Sequence, residues 1–241
     1  MTSPLEASAI RFSEVSCSRN GADGVSQERL RDASAEFPAG TFTILAGAES
    51  GGRDLCLRLT SLLETPDAGE IWLEGQPTRE LNDAARAELR GRRLGLVFAA
   101  PFLLPSFTAI ENIAMPLFKH GQTDIEEARR RAETALDFVG LGGWEETPAE
   151  ELSPYDQRCV ALARALAAQP AALIAENVDL RLNETAHRAF PALLRRAAEH
   201  FQLAIIGAAE ATFEAQPGDR LLRVEDGRLE KAAPLLPEST S

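Results

Sequence analysis

An apolar run, a glycine-bearing turn and a helical apolar pattern follow one another at 42–63, and they constrain the fold of this chain most. The run at 42–46 is typical of a buried strand, and the apolar spacing at 55–63 is typical of a helix that packs on a core. Between them, Gly47 and Gly52 occupy the two glycine positions of the pattern G-x-x-x-x-G-K-[ST], whose backbone N–H groups surround phosphate. The sequence therefore predicts an α/β fold with a phosphate-loop frame between this strand and this helix.

The two residues after Gly52 depart from that pattern. Arg53 stands where the pattern has lysine, and Asp54 stands where it has a hydroxyl that binds magnesium. Arg53 can bind phosphate bidentately or pair with Asp54, whereas Asp54 and Glu49 oppose a triphosphate, because like charges about 4 Å apart repel by about 4 kcal/mol at an effective dielectric near 20. We therefore expect a loop that binds no nucleotide, formed by Gly47, Ala48, Glu49, Ser50, Gly51, Gly52, Arg53, Asp54 and Leu55.

The composition narrows the class of protein. The chain of 241 residues has 25 Lys+Arg against 37 Asp+Glu, a net charge of −12 that argues against nucleic acid as a main partner. Cys17, Cys56 and Cys159 share no metal-ligand spacing, and a reducing cytoplasm fits this usage. Neither a secretory signal nor an apolar run of about 18 residues is evident. We therefore expect a cytoplasmic chain that reaches a membrane only through a partner.

Strand and helix patterns alternate along most of the sequence. Residues 9–46 have short alternating segments typical of β-strands, and 107–140 have mostly helical periodicity. Apolar runs at 94–98, 171–175 and 203–207 predict buried strands, and 184–200 predicts a helix between the last two. This alternation favours an α/β fold with a parallel sheet.

Four segments, in their order and spacing, resemble the ATP-binding subunit of an ABC transporter, in the branch that serves lipoprotein-release, macrolide-export and cell-division complexes: 63–71, 101–112, 160–166 and 219–228. The resemblance covers about Ile10 to Leu229. It implies a RecA-like P-loop NTPase core with a small antiparallel β part and an inserted helical subdomain near 100–160. One domain would then span 1–231, followed by a frayed tail at 232–241.

The resemblance also locates the signature loop, ordinarily Leu-Ser-Gly-Gly-Gln, which lets a partner's γ-phosphate approach the backbone. Here the loop is Leu152, Ser153, Pro154, Tyr155 and Asp156. Proline removes an N–H group and tyrosine fills space that glycine leaves open. Ser153 is still a good helix N-cap, so we predict a structural role for it.

The other positions implied by the resemblance depart as well. Arg19 stands where an aromatic residue stacks on adenine, and Ala99 stands where a glutamine links magnesium to the membrane partner. Glu176 and Asn177 replace the aspartate and the general-base glutamate; Glu176 can still order a hydrated magnesium, but Asn177 cannot accept a proton. The remaining positions are the interface aspartate, now Asn183, and the switch histidine, now Ala209 or Glu210. We interpret His187 and His200 as solvated side chains outside the site.

These departures predict a catalytically degenerate subunit that acts as a binding or scaffold partner of a membrane permease or an active paralogue, not an enzyme. No cofactor is expected, although ATP and Mg²⁺ would be the family ligands. The apolar segment 101–117 resembles the groove that receives the permease, and core packing is its alternative explanation. Two other functions stay open: a slow or altered ATPase that uses Arg53 and Glu176, and a soluble regulator that sequesters ABC subunits. The chain would be a homodimer or pair with a paralogue.

Overall fold

The computed structural model describes residues 8–20, 27–48, 51–118, 123–180 and 184–231, with only the backbone at 184–187. Six strands form the central sheet: β3 (Phe42–Ala46), β6 (Leu94–Val97), β7 (Ala172–Ala175), β8 (Ala204–Ala209), β9 (Arg220–Glu225) and β10 (Arg228–Lys231). Their order is β10-β9-β3-β8-β7-β6, and all neighbours are parallel except β10 and β9. The predicted parallel α/β core is confirmed.

A second, antiparallel sheet covers one face of the central sheet. Its strands are β1 (Ser8–Asn20), β2 (Gln27–Pro38), β4 (Ala68–Leu73) and β5 (Gln76–Pro77), in the order β2-β1-β4-β5. Alternate residues of β1 and β2 are buried, as expected for strands with one solvated face. This sheet is the small antiparallel part that the resemblance implies.

Six α-helices lie in the described residues: α1 (Arg53–Thr60), α2 (Asp83–Arg93), α3 (Ala109–Ala114), α4 (Ile125–Phe138), α5 (Pro154–Ala167) and α6 (Glu184–Phe201). Two short 3₁₀ helices, Met115–Phe118 and Ala149–Glu151, accompany them. The helix predicted over 55–63 ends earlier, at Thr60, because Leu62 adopts a left-handed φ of 56° and Leu63 N–H bonds back to Arg58 O at 2.9 Å. Helix α2 has no buried residue, and Leu89, its one large apolar side chain, is only partly buried against the core, so little in the sequence indicates this helix.

The core lies in two clusters, one on each face of the central sheet. Helices α3 to α6 pack on one face, while α1 and the antiparallel sheet pack on the other. Neighbouring residues of β7 point to opposite faces, so that Leu173 belongs to the first cluster and Ile174 to the second. Strands β3, β7 and β8 are buried throughout, which explains their continuous apolar runs.

No helix in the described ranges is long and apolar enough to cross a membrane. The predicted frayed tail at 232–241 lies outside the described residues. The carboxyl ends of β3, β6, β7 and β8 meet at one edge of the central sheet, where ligands of open α/β sheets bind. The loops at that edge carry most of the residues singled out in the sequence.

Candidate functional site

The glycines of the phosphate-loop frame are required by packing. Gly52 precedes α1 with a φ of 96°, a left-handed conformation that favours glycine. A Cβ atom at Gly52 would overlap the backbone carbonyl oxygen of Arg29 in β2, and one at Gly47 would overlap the carbonyl oxygen of Val224 in β9. The frame therefore holds the loop against backbone from both sheets.

The rest of the loop is closed by backbone hydrogen bonds. Gly51 N–H donates to Ala48 O at 3.0 Å, and Gly227 N–H donates to Gly51 O at 3.2 Å. Leu55 is fully buried and anchors the first turn of α1 in the core. Glu49 and Ser50, two of the predicted loop residues, lie outside the described residues.

Arg53, the first residue of α1, has a side chain that is only 3% exposed. Its Nε donates to Asp54 Oδ1 at 2.7 Å, and its Nη1 donates to Glu210 Oε1 at 2.9 Å. The same Nη1 contacts the carbonyl oxygens of Gly47 and Ala209, each at 3.2 Å. Burial opposes the charge, but the hydrogen bonds of the two carboxylates outweigh it and raise the pKa of Arg53. The guanidinium thus lies inside the loop and remains charged.

The pairing of Arg53 with Asp54 reduces the repulsion that we expected from the sequence. The guanidinium contacts Asp54 at 2.7 Å and Glu210 at 2.9 Å, so its one positive charge is shared between two carboxylates. It offsets part of the negative charge that Asp54 would present to a triphosphate and does not cancel the charge of both carboxylates. Of the two functions foreseen for Arg53, the structure shows the pairing with Asp54.

The turn after β7 joins several parts of this edge. Glu176 Oε2 accepts a hydrogen bond from the backbone N–H of Ala99 at 3.0 Å. Ala99 therefore contacts the turn through its amide, although its side chain is only a methyl group. Asn177 has a left-handed φ of 42°. Asp179 Oδ2 accepts the N–H of Glu210 at 2.9 Å, which connects this turn to the end of β8 and, through Glu210, to Arg53.

The signature-like loop begins α5. Ser153 Oγ accepts the N–H of Asp156 at 3.1 Å and its hydroxyl contacts Asp156 Oδ2 at 2.6 Å, so the predicted N-cap is confirmed. Pro154 is at the first helical turn, where its missing N–H group is not needed. Tyr155 is half-buried and packs against the helical core, and burial raises the pKa of its hydroxyl. Leu152 is buried.

Other predicted positions are tied to the protein itself or lie outside the described residues. The guanidinium of Arg19 contacts Glu64 at 3.0 Å, Asp67 at 2.9 Å and the carbonyl oxygen of Thr65 at 2.8 Å. The ring of His200 is exposed but lies 5.3 Å from that of Phe138, so it is part of a surface aromatic cluster. Asn183 and the side chain of His187 fall in the undescribed part of the chain.

The segment 101–117 divides into a buried and an exposed part. Ile110, Ile113 and Leu117 are in the core, which supports the core-packing explanation for half of the segment. A second set of side chains points outward, with Phe102 69% exposed. We call these residues the apolar face; they are Phe102, Leu104, Phe107 and Met115. Arg164 on α5 supports this face by donating to the carbonyl oxygens at 101 and 102.

The chain matches the ABC transporter family over residues 30–178, which is more than half of its length. It belongs to the ATP-binding domains of ABC transporters. The lipoprotein-releasing system ATP-binding protein LolD of Pseudomonas syringae pv. tomato is 36% identical over 82% of this chain and 86% of that protein. LolD of Maricaulis maris is 36% identical over 85% of this chain and 89% of that protein.

Solved structures of ABC cassettes have the same architecture. The dimeric structure of MJ0796, a bacterial ABC transporter cassette, superposes with a TM-score of 0.77 at 26% identity, and covers 92% of this chain and 96% of that one. A post-hydrolysis state of the same cassette bound to ADP and Pi gives a TM-score of 0.76 at 25% identity. The RecA-like P-loop fold of this ABC domain is thus confirmed.

These relatives overturn the functional prediction. The hypothesis of a catalytically degenerate scaffold that is not an enzyme is wrong, because the chain aligns along most of its length with subunits named as ATP-binding proteins. The expectation of no cofactor is not confirmed, since the family ligands are ATP and Mg²⁺. The physical reason is that the prediction considered the family groups that are missing and gave too little weight to the groups that stand in their place. These are the guanidinium of Arg53 inside the loop, the carboxylates of Asp54 and Glu176, and the backbone amide of Ala99.

Proposed function

We propose that this chain is the ATP-binding subunit of an ABC transporter of the lipoprotein-releasing type and hydrolyses ATP slowly with an altered set of side chains. The observation that carries this proposal is Arg53, a charged group in the lysine position whose Nη1 lies 3.2 Å from the carbonyl oxygen of Gly47 inside the phosphate loop. The LolD relatives, which are named ATP-binding proteins of a lipoprotein-releasing system, support both the ligand and the class of transporter.

Arg53 would bind the terminal phosphates by exchanging one partner. Its Nε stays on Asp54, while Nη1 leaves Glu210 for a phosphate oxygen. A guanidinium suits this role because it is always charged and forms strong charge-assisted bonds to phosphate. The N–H groups of the loop and of the first turn of α1 add the usual anion site at a helix N-terminus.

Two carboxylates at this edge suit a magnesium ion. Asp54 and Glu176 offer the hard oxygen ligands that Mg²⁺ prefers, and Mg²⁺ in ATPase sites is usually held by one or two carboxylates together with substrate phosphates. When bound, the ion would neutralise charge on the β- and γ-phosphates.

The remaining residues position the reacting water. Phosphoryl transfer depends mainly on positioning and on charge stabilisation. Asn177, one residue after Glu176, can orient a water molecule by hydrogen bonding but cannot take its proton. We therefore expect slow turnover, with Arg53 responsible for phosphate binding and Glu176 for ordering the hydrated metal ion.

We further propose that the apolar face receives a membrane permease subunit, so that the chain is peripheral to the cytoplasmic side of a membrane. Phe102, Leu104 and Met115 are large apolar side chains that are exposed within one segment, 102–115, and apolar side chains exposed close together suit a protein interaction site. The dimeric state of the MJ0796 cassette supports assembly with a second ABC domain.

The direct test measures Mg²⁺-dependent phosphate release by the purified chain, alone and with its permease. Arg53→Met should lower kcat/KM for ATP by about 100-fold, as expected for loss of a charged group aimed at the reacting phosphate. Arg92→Met is the control, because Arg92 lies on α2 and its ion pair with Glu88 is exposed to solvent. Its kcat/KM should stay near the wild-type value.

A separate measurement follows nucleotide binding. Mg-ATP at 100 times its dissociation constant should stabilise the folded chain by about 2.7 kcal/mol. If the wild-type chain shows neither this stabilisation nor phosphate release, with or without the permease, the proposed function is wrong.

A further inference from the structure

Arg158 is the largest fully buried side chain of the described core, and its burial is unusual for an arginine. It lies on α5, and its side chain is 2% exposed. Burial lowers its pKa to about 10, while the charges of Asp179 and Glu176 act in the opposite direction. Within the described part of the chain its Nε–H has no acceptor. A buried charge with an unsatisfied donor is unfavourable unless it has a particular role.

The contacts of Arg158 converge on one turn of the backbone. Its Nη2 donates to the carbonyl oxygens of Glu176 at 2.5 Å and Asn177 at 2.6 Å. On its other side the guanidinium stacks on the ring of Phe190 in α6, with Cζ 4.2 Å from the ring centroid. One cationic group thus joins α5 and α6 to the turn that follows β7.

That turn needs such a donor. Asn177 has a φ of 42°, a conformation that non-glycine residues adopt at a cost. Two consecutive carbonyl oxygens point toward the same nitrogen, and without a positive donor between them they would repel each other, although Asn177 O would keep its bond from the N–H of Leu180.

The turn in turn fixes groups of the proposed ATP site. Glu176 projects from it to the N–H of Ala99, and Asp179 accepts the N–H of Glu210, whose carboxylate contacts Arg53. A continuous series of polar contacts therefore runs from α5, which begins at the signature-like loop, to the phosphate loop. Spatial continuity of this kind indicates a route for coupling but requires a direct test.

We propose that Arg158 is a positioning residue that holds the turn at 176–177 in its left-handed conformation, and so places Glu176 and Asn177 for the reaction. This inference rests on the proposed function, because it assigns a role within ATP hydrolysis. Arg158 itself contacts neither nucleotide nor metal; it acts only through the two carbonyl groups.

The test uses the full chain and compares Arg158→Met with Arg158→Lys. Methionine keeps most of the volume but has no donor, so kcat for Mg-ATP should fall about tenfold or more while KM changes less than about threefold, since misplacement affects the reaction more than binding. Lysine retains donors for both carbonyl groups and should recover a large part of kcat. Arg195→Gln is the control, since it breaks a partly buried ion pair that joins α6 to Asp219, just before β9; it should leave kcat unchanged.

Hydrogen exchange tests the same inference without catalysis. The N–H of Leu180 bonds to Asn177 O at 3.0 Å, and the N–H of Ile205 bonds to Thr41 O at 2.9 Å in the sheet interior. Arg158→Met should speed exchange at Leu180 by about tenfold and leave Ile205 nearly unchanged, because local opening is independent of global unfolding.

Three results would overturn the inference: unchanged kcat and exchange in Arg158→Met, equal acceleration at Leu180 and Ile205, or an equal loss of kcat in Arg195→Gln. Failure of the proposed function is a different result, the absence of ATP turnover in the wild-type chain. In that case the exchange experiment still decides whether Arg158 holds the turn.

Discussion

The loop edge of the central sheet and the apolar face of segment 101–117 differ in whether their side chains have partners within the chain or are exposed to solvent. At the loop edge, Arg53 contacts Asp54 and Glu210, each within 3 Å, and the guanidinium is buried. On the apolar face, Phe102 and Met115 are exposed to solvent, at 69% and 45%. Under the proposed function, the first region exchanges internal partners for a ligand, and the second acquires a partner. Four variants test this difference.

The largest effect should come from Gly52→Ala in the loop frame. The added Cβ atom would overlap the carbonyl oxygen of Arg29 and would occupy a left-handed φ of 96°. We expect a loss of about 3 kcal/mol or more in the free energy of unfolding, together with loss of ATP binding. Chemical denaturation and nucleotide titration measure both. Gly75→Ala, with a φ of 79° but open space around its Cβ position, is the control and should lose only about 1 kcal/mol. Equal losses in the two variants would contradict the role of packing at Gly52.

Phe102→Asp should act on the apolar face alone. Phe102 is 69% exposed, so the folded chain should lose less than about 0.5 kcal/mol of stability. Binding to the permease should weaken by about 2 kcal/mol, or roughly 30-fold, as for a central aromatic contact. Chemical denaturation of the isolated chain and co-purification with the permease in detergent measure the two effects. Unchanged binding to the permease would show that the partner docks elsewhere; a partner that is soluble and contains no membrane protein would favour a regulator of ABC subunits.

Ser153→Ala removes the cap of α5. The hydroxyl accepts the N–H of Asp156 at 3.1 Å, and its loss should reduce the free energy of unfolding by about 1 kcal/mol. Ser153→Thr, which keeps the hydroxyl, should lose much less. Thermal unfolding of both variants is the measurement, and equal stability of Ser153→Ala and the wild type would show that the cap contributes nothing.

The smallest effect should come from Glu210→Gln at the loop edge. The carboxylate of Glu210 is 63% exposed, so its pair with Arg53 is partly screened by solvent. Its neutralisation should leave Nη1 of Arg53 more available and tighten Mg-ATP binding by a few fold, on the order of 0.5–1 kcal/mol. Isothermal titration calorimetry measures the change, with Glu214→Gln as an exposed control outside the site. Weaker binding in Glu210→Gln would mean that Glu210 assists the nucleotide and does not compete with it.

The sequence was sufficient to predict the buried strands of the central sheet and the position of the phosphate loop. Apolar runs revealed β3, β7 and β8 because strands buried on both faces carry continuous hydrophobic residues. The two glycines identified the loop because its geometry excludes a side chain there. Helix α2 was not predicted, since its contact with the core is made by the partly buried Leu89 and its other residues are small or charged.

The contacts between side chains within the site could not be predicted from the sequence. Arg53 and Glu210 are 157 residues apart in the sequence, and only the parallel order of β3 and β8 brings them together. Arg158 showed no signal, because a charged residue on a helix is normally assigned to solvent. The functional prediction failed for a related reason: it compared side chains position by position, whereas the site assembles its charges from several loops.

The overlap that a methyl group at Gly52 would create with Arg29 has a broader consequence. Any other residue at Gly52 must push a strand of the outer sheet aside, so the fold itself dictates glycine there. At the next two positions, Arg53 and Asp54 pair with each other at 2.7 Å, and the fold accommodates both charged side chains. Packing therefore dictates the glycine, whereas the side chains that we propose for nucleotide binding can differ from lysine and a hydroxyl without a change of architecture.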